Sequence, residues 1–189
     1  MPVITVSRQM GSLGSEIAYQ VSELMGYRLI WRELINQAAR RAGAPDAALA
    51  AIDELGLLGI TPSRQASAAY RQAVEQIMQE LLEQDNAVIL GRAGQVILRG
   101  QPSVLHIRII APLEQRAQRI AERRSVELAA ARAQVEASDR YRENFMRRFY
   151  RVRWDDPGLY HLTVNTGLLS AGAAVQVIYQ AAMQFMLHP

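Results

Sequence analysis

The chain has 189 residues, half of them hydrophobic and 21% charged, which fits one soluble domain with a sizeable core. It has no cysteine, so disulfides and thiolate metal sites are excluded, and His106, His161 and His188 are too scattered for a histidine metal centre. The net charge is +3 and all 21 basic residues are arginine, so no lysine nucleophile, Schiff base or phosphate-loop lysine is available.

The opening MPVITV has neither the basic start nor the long apolar core of a secretory signal. No apolar run approaches the ~20 residues of a membrane span, so a cytoplasmic protein without a membrane partner is expected. VITV is a compact β-branched run suited to a buried first strand. Residues 14–26 follow as a helix, with Ile17, Val21 and Leu24 at helical spacing and Gly26 as its stop. YRLI reads as a short strand and residues 32–42 as a helix. Between Gly43 and Pro62, alanine, glycine and proline loosen the pattern into a helix fragment and a mobile connection.

A long helix is predicted from Ser63 to Gln84, with Ala73, Ile77 and Leu81 on one face. NAVILG and SVLHIRIIA are two further buried strands. Pro112 opens a helix reaching Arg124, in the first-turn position that proline tolerates. Residues 126–151 form another long helix, HLTVNT a last strand, and residues 170–187 a closing helix whose apolar side could pack internally or serve a homodimer. There is neither an internal repeat nor a linker dividing the chain.

Strands alternating with helices, each strand apolar enough for burial on both faces, predict an α/β fold with a parallel sheet of about five strands. A ligand in such a fold sits beyond the carboxyl ends of the strands. There SRQMGSLGS, Gly91–Arg92 and the segment after Ala111 should meet.

SRQMGSLGS joins the first strand to the first helix, where unpaired N–H groups and the positive dipole end suit an anion. Gly11 and Gly14 permit the conformations that let backbone wrap a phosphate, and Ser12 and Ser15 can add hydroxyl donors. The full pattern GxxxxGK[ST] is not matched. Residues 116–153 hold eleven arginines against five acids, a strip that could face nucleic acid, an acidic partner or a polyphosphate.

From Val3 to Arg32 the chain resembles the start of cytidylate kinase, and more closely the cytidylate kinase-like group within the P-loop nucleoside monophosphate kinases. The similarity resumes at VILGRAGQVIL, at RIAERRSVELAAARAQVEASDRYRENFMRRFY and at WDDPGLYHLTVNT, and is weakest over residues 43–85. It implies a three-layer P-loop NTPase-like domain over residues 1–189. Its core would be 1–42, 86–115 and 155–189, with an acceptor-side helical region at 43–85 and a helical lid at 116–153.

Laid over the family loop, Arg8 to Glu16 keeps Gly11 but places Leu13 at the next glycine, Gly14 at the lysine and Glu16 at the magnesium-binding threonine. The resemblance implies that Gly11, Ser12, Gly14, Ser15 and Glu16 hold a nucleotide. It also implies that Arg8 replaces the lysine and that the lid arginines Arg123 and Arg124 grip the transferring phosphates. Glu16 could hold magnesium through its carboxylate or act only as a helix-start acid; no residue is assigned as a metal ligand.

On the acceptor side, Arg92 matches an arginine that grips the monophosphate, and Asp139 with Arg142 matches a pair reaching into the active site. The aspartate after that arginine has become Ala93, the pocket aspartate and serine have become Trp31 and Arg32, and a further arginine has become Val135. Trp154, Tyr160, Tyr141 and Tyr150 are candidates for base stacking or for packing, and Asn165–Thr166 for a place near the donor base.

The expected function is that of a nucleotide-binding, kinase-like protein using ATP and Mg2+ if active, with a nucleotide or other phosphorylated small molecule as partner. One rival is a non-catalytic binding or regulatory protein of the same fold. The other, less favoured, is nucleic-acid binding through residues 116–153.

Overall fold

The computed structural model describes residues 2–52, 60–84 and 86–187; His188 and part of the expected 43–62 connection lie outside the described residues, as does the side chain of Arg32. Five strands form one sheet: β1 (Val3–Arg8), β2 (Arg28–Ile30), β3 (Ala87–Leu90), β4 (Val104–Ile110) and β5 (Leu162–Asn165). Their order is β2-β3-β1-β4-β5 and every neighbouring pair is parallel. The helices are α1 (Gly14–Met25), α2 (Arg32–Ala42), α3 (Pro45–Ile52), α4 (Arg64–Gln84), α5 (Gly94–Ile97), α6 (Leu113–Arg124), α7 (Leu128–Tyr150) and α8 (Ala171–Leu187).

The sheet is buried on both faces because its strand residues divide by parity. Ala87 and Ile89 of β3, with Val3 and Val104, meet Leu34, Ile77 and Met78 from α2 and α4. Val88 and Leu90, with Ile4, Val6, Ile107 and Ile109, meet Ile17 and Val21 of α1 and Ile178 of α8. This gives the parallel five-stranded sheet expected from the strand and helix pattern, in the three layers that the family resemblance implied. The closing helix packs Ala174, Val175, Ile178 and Ala182 into the second layer, while Val177 and Met183 stay exposed.

Helices α6 and α7 form an antiparallel pair beside the carboxyl edge of the sheet, held by Ile120, Ala131 and Val135 with Met10 of the first loop against them. Gly26 and Gly43 end α1 and α2 in the left-handed conformation (φ 66° and 57°), as a C-terminal glycine allows. His106 is buried in β4, where its Nδ1 lies 2.7 Å from Thr5 Oγ1 and its ring stacks on His161 at 5.1 Å. His106 is therefore part of the sheet's packing, and the exposed His161 covers its ring. No helix among the described residues is long and apolar enough to cross a membrane.

Candidate functional site

The loop after β1 is closed by its own side chains. Gln9 N donates to Ile109 O at 3.1 Å, while Gln9 Oε1 accepts from Ala111 N at 3.1 Å. Ser12 donates to Gln9 O through both its amide (3.3 Å) and its hydroxyl (2.8 Å). Ser12 is thus fully buried and braces the loop, whereas Ser15 faces the cleft. Gly11 has φ 79° and Leu13 φ 62°, so the chain passes through two left-handed residues before α1 begins. The one at leucine is disfavoured by about 1–2 kcal/mol. A left-handed residue followed by helix curls successive N–H groups into a concavity, at an end where no i−4 carbonyl exists to accept them.

Arg8 ends β1 and packs between two glycines. A Cβ on Gly14 would overlap the Cβ of Arg8, and one on Gly91 would lie 2.6 Å from Arg8 Nη1. The stem is therefore clamped by α1 and the guanidinium lies along the end of β3. There Gly91, Arg92 and Ala93 take φ 77°, 55° and 59° in succession, a strained turn that ends β3 and leads into α5. It brings Arg92 to the rim opposite the loop.

Three arginines tie α6 and α7 to this edge. Arg116 is buried; its Nε donates to Ala111 O (2.8 Å), and its Nη1 donates to Met10 O (3.4 Å) and pairs with Asp139 Oδ2 (2.8 Å). Arg119 donates to Gly11 O (3.3 Å), Thr166 Oγ1 (3.1 Å) and Thr166 O (2.8 Å), and Thr166 Oγ1 donates to Ser12 O at 2.9 Å. Arg142 Nη1 donates to Ser138 Oγ at 2.6 Å, with its guanidinium 5.7 Å from the Trp154 ring. Burial pushes the Asp139 carboxyl above its usual range, against the pull of Arg116, Arg142 and Arg108. Its Oδ1 is buried without a hydrogen-bond partner among the described residues.

Between the loop, α6, α7 and the Arg92 turn lies a cleft of about 570 Å3. Six arginines line it, Arg8, Arg92, Arg119, Arg123, Arg124 and Arg142, and Glu16 is the acid among its lining residues. Gly11, Gly14 and Ser15 form its floor, and Trp31, Ile35 and Asn36 one side. Of the residues singled out in the sequence, Ser12 and Asp139 do not line it, since one braces the loop and the other holds Arg116; nor do Asn165 and Thr166, while Tyr141 and Tyr150 line a second cavity. Trp154 and Tyr160 are packed at the sheet edge, where Trp154 Nε1 donates to Ser7 Oγ (2.9 Å) and Tyr160 OH to Trp154 O (2.7 Å).

Arg119, Trp31 and Asn36 line the cleft without having been picked out as site residues. For Arg119 the sequence carries a signal, because 119 and 123 are four apart and share one face of α6. Magnesium is the metal such a site implies. Among the described residues no three His, Cys, Asp or Glu side chains group as a metal cage. Glu16 is the carboxylate lining the cleft, beside Ser15, and one carboxylate with phosphates is a donor set that fits magnesium.

The model of the cytidylate kinase-like family matches residues 3–168. The cytidylate kinase of Archaeoglobus fulgidus is 25% identical over 180 residues, covering 94% of this chain and 93% of that protein. The uronate isomerase of Corynebacterium glutamicum is 26% identical over 186 residues, or 93% of this chain, which spans only 35% of that protein's length. Among solved structures, an uncharacterized protein from Eubacterium ventriosum superposes with a TM-score of 0.76 at 18% identity, covering 97% of this chain and 99% of that one. Shikimate kinase from Acinetobacter baumannii superposes with a TM-score of 0.56 at 14% identity, covering 97% and 94%. At these identities the structural matches speak to the fold.

Proposed function

The chain belongs to the cytidylate kinase-like family, and on that premise we propose that it binds a nucleoside triphosphate, ATP, in the loop cleft and passes the γ-phosphoryl group to a small anionic acceptor. The observation that carries this reading is the convergence of six arginines and one carboxylate on a glycine loop at a helix N-terminus. In the transfer, the bond from the γ-phosphorus to the bridging oxygen breaks as one forms to an acceptor oxygen. Charge then spreads over the transferring group, and fixed guanidinium groups stabilise it there.

In this reading Arg8 takes the place of the lysine, its stem packed against Gly14 and its guanidinium beside Gly91. Arg123 and Arg124 stand in the last turn of α6, where a closing motion of the helical pair brings them over the polyphosphate and excludes water. Arg119 holds the loop from the same helix. Arg92 and Arg142 face the acceptor side, and Asp139 positions Arg116. Glu16, the carboxylate lining the cleft, would hold magnesium together with bound phosphates, and the ion would supply neutralisation of charge on the polyphosphate.

The dispersal of residues 116–153 supports this over nucleic-acid binding. Their arginines divide among the cleft, ion pairs such as Arg132–Glu114 (2.7 Å) and Arg153–Asp155 (3.1 Å), and ring contacts such as Arg148 over Phe149, instead of presenting one continuous face.

Calorimetric titration of ATP with and without magnesium, on the wild type and on Arg8→Ala, tests the reading. Magnesium-strengthened binding that is lost in Arg8→Ala supports a rebuilt kinase, and turnover then follows with an acceptor screen. Tight binding indifferent to magnesium, with no ATP consumed by any acceptor, selects the non-catalytic rival. Absence of nucleotide binding overturns both.

A further inference from the structure

A second cavity, of about 800 Å3, lies between α4 and α7 and shares Arg92 with the first. Its α7 wall is aromatic: Phe145 stacks near Tyr141 (6.4 Å) and tilts against Phe149 (5.0 Å). Guanidinium groups of Arg71 and Arg148 lie 5.2 and 5.3 Å from the Phe149 ring. No acidic side chain is among its described lining residues, whereas Arg64, Arg71, Arg92 and Arg148 are.

Tyr70 of α4 lines the same cavity and is only 7% exposed. Its hydroxyl is buried with no hydrogen-bond partner among the described residues. A buried hydroxyl left unmet is unfavourable by about 1–3 kcal/mol. The Arg92 charge pulls against the burial that pushes the Tyr70 phenol up, so the two groups sit within electrostatic reach of each other.

We propose that this cavity binds a small anion with a flat aromatic body, its charged group on Arg92 and the Tyr70 hydroxyl and its ring against Phe145 and Phe149. The volume is that of a small-molecule pocket, and its composition is what such a ligand needs: ring faces for the body, one placed donor and cations for the charge. The edge of a nucleobase needs fixed donors and acceptors; of the described lining side chains Thr61, Ser67, Asn144 and the tyrosine hydroxyls offer them, against five aromatic rings and four guanidinium groups, and the CMP titration weighs the two. This deepens the function proposed above by naming an acceptor class, and its catalytic meaning rests on that reading while the binding itself does not.

Phenyl phosphate, inorganic phosphate, CMP and ATP are titrated separately into the wild type, Tyr70→Phe and Phe149→Ala. The expected result is that phenyl phosphate binds at least about tenfold tighter than inorganic phosphate, loses about tenfold in either variant, and leaves ATP affinity unchanged in both. Because Tyr70→Phe removes an unmet polar group, the unliganded variant should be at least as heat-stable as the wild type, which separates it from any folding defect in Phe149→Ala. Phenyl phosphate no tighter than phosphate, CMP about tenfold tighter than phenyl phosphate, or an unchanged affinity in Tyr70→Phe overturns the proposal. Phenyl phosphate bound through Tyr70 in a protein that fails to bind ATP sinks the kinase reading alone; ATP bound without phenyl phosphate sinks this one alone.

Discussion

A Cβ placed on Gly11 would stand 2.6 Å from the carbonyl oxygen of Arg116, so the loop after β1 and the first turn of α6 touch backbone to backbone. Gly11 is also left-handed, with φ 79°. Gly26 offers a control, being left-handed (φ 66°) with nothing within 4 Å of its Cβ direction. Gly26→Ala is expected to lose about 1 kcal/mol from backbone strain alone. Gly11→Ala should exceed that by about 1–3 kcal/mol, because Arg116 is anchored on Ala111, Met10 and Asp139 and cannot yield. Urea unfolding of the two variants measures the difference. Equal losses would mean that the loop and α6 separate easily.

Arg116 and Asp139 form a buried pair between α6 and α7, their side chains 5% and 18% exposed. Breaking such a pair from one side is unfavourable by about 3–5 kcal/mol when the remaining charge cannot escape. Asp139 can escape by taking a proton, since burial already raises its carboxyl above the ordinary value. Removing the cation in Arg116→Met raises it further. A carboxyl whose folded value exceeds its unfolded value of 3.8 destabilises the fold progressively as pH climbs from the unfolded value through the folded one. Arg116→Met should therefore show a larger deficit against wild type at pH 8 than at pH 5, and Arg116→Met with Asp139→Asn should flatten it. A deficit independent of pH would show that Asp139 is solvated in the variant.

The architecture was legible because it rests on period and burial. Each of VITV, AVIL and the β4 run is apolar on both faces, as a strand in the middle of a parallel sheet must be, and all five expected strands are present. The four-residue α5 was missed because one turn is too short to show a helical period. Residues that line the cleft were legible where glycine freedom or a place at a strand's carboxyl end marks them, as at Gly11 and Arg92, and illegible where a choice is made in three dimensions. Nothing in the spacing of Ser12 and Ser15 shows that one hydroxyl bonds Gln9 O while the other lines the cleft. Nor does the arginine strip reveal that Arg116 is buried while its neighbour three residues on holds Thr166. Those roles follow from how α6 meets the loop, a contact more than a hundred residues long in sequence.

His106 gives the fold an acid-sensitive element. Burial first, and then the neighbouring His161 charge, lower it from 6.5 to about 4. Between those values the unfolded chain holds the proton and the folded one does not, so stability rises with pH through the window and is lost as pH falls. The full effect is at most about 3.4 kcal/mol, reached below the folded value. Urea midpoints measured from pH 7 to pH 4 should fall more steeply for the wild type than for His106→Gln. Parallel curves would assign the acid sensitivity elsewhere.

Arg119 is the strongest test of the loop as a binding device, because one guanidinium holds the Gly11 carbonyl and both oxygens of Thr166. Its removal frees the loop from the β5 edge and also subtracts a cation from the cleft. Arg119→Gln should weaken ATP by about ten- to a hundredfold, near 1.4–2.7 kcal/mol. Thr166→Val separates the two effects. It keeps the guanidinium and the Thr166 carbonyl's position but loses the hydroxyl that donates to Ser12 O. If bracing matters, Thr166→Val reproduces a good part of the loss seen in Arg119→Gln; if charge alone matters, its ATP affinity stays at the wild-type value. Titration in rising salt resolves the remainder, since a lost phosphate contact lowers the salt slope and a loosened loop leaves it unchanged.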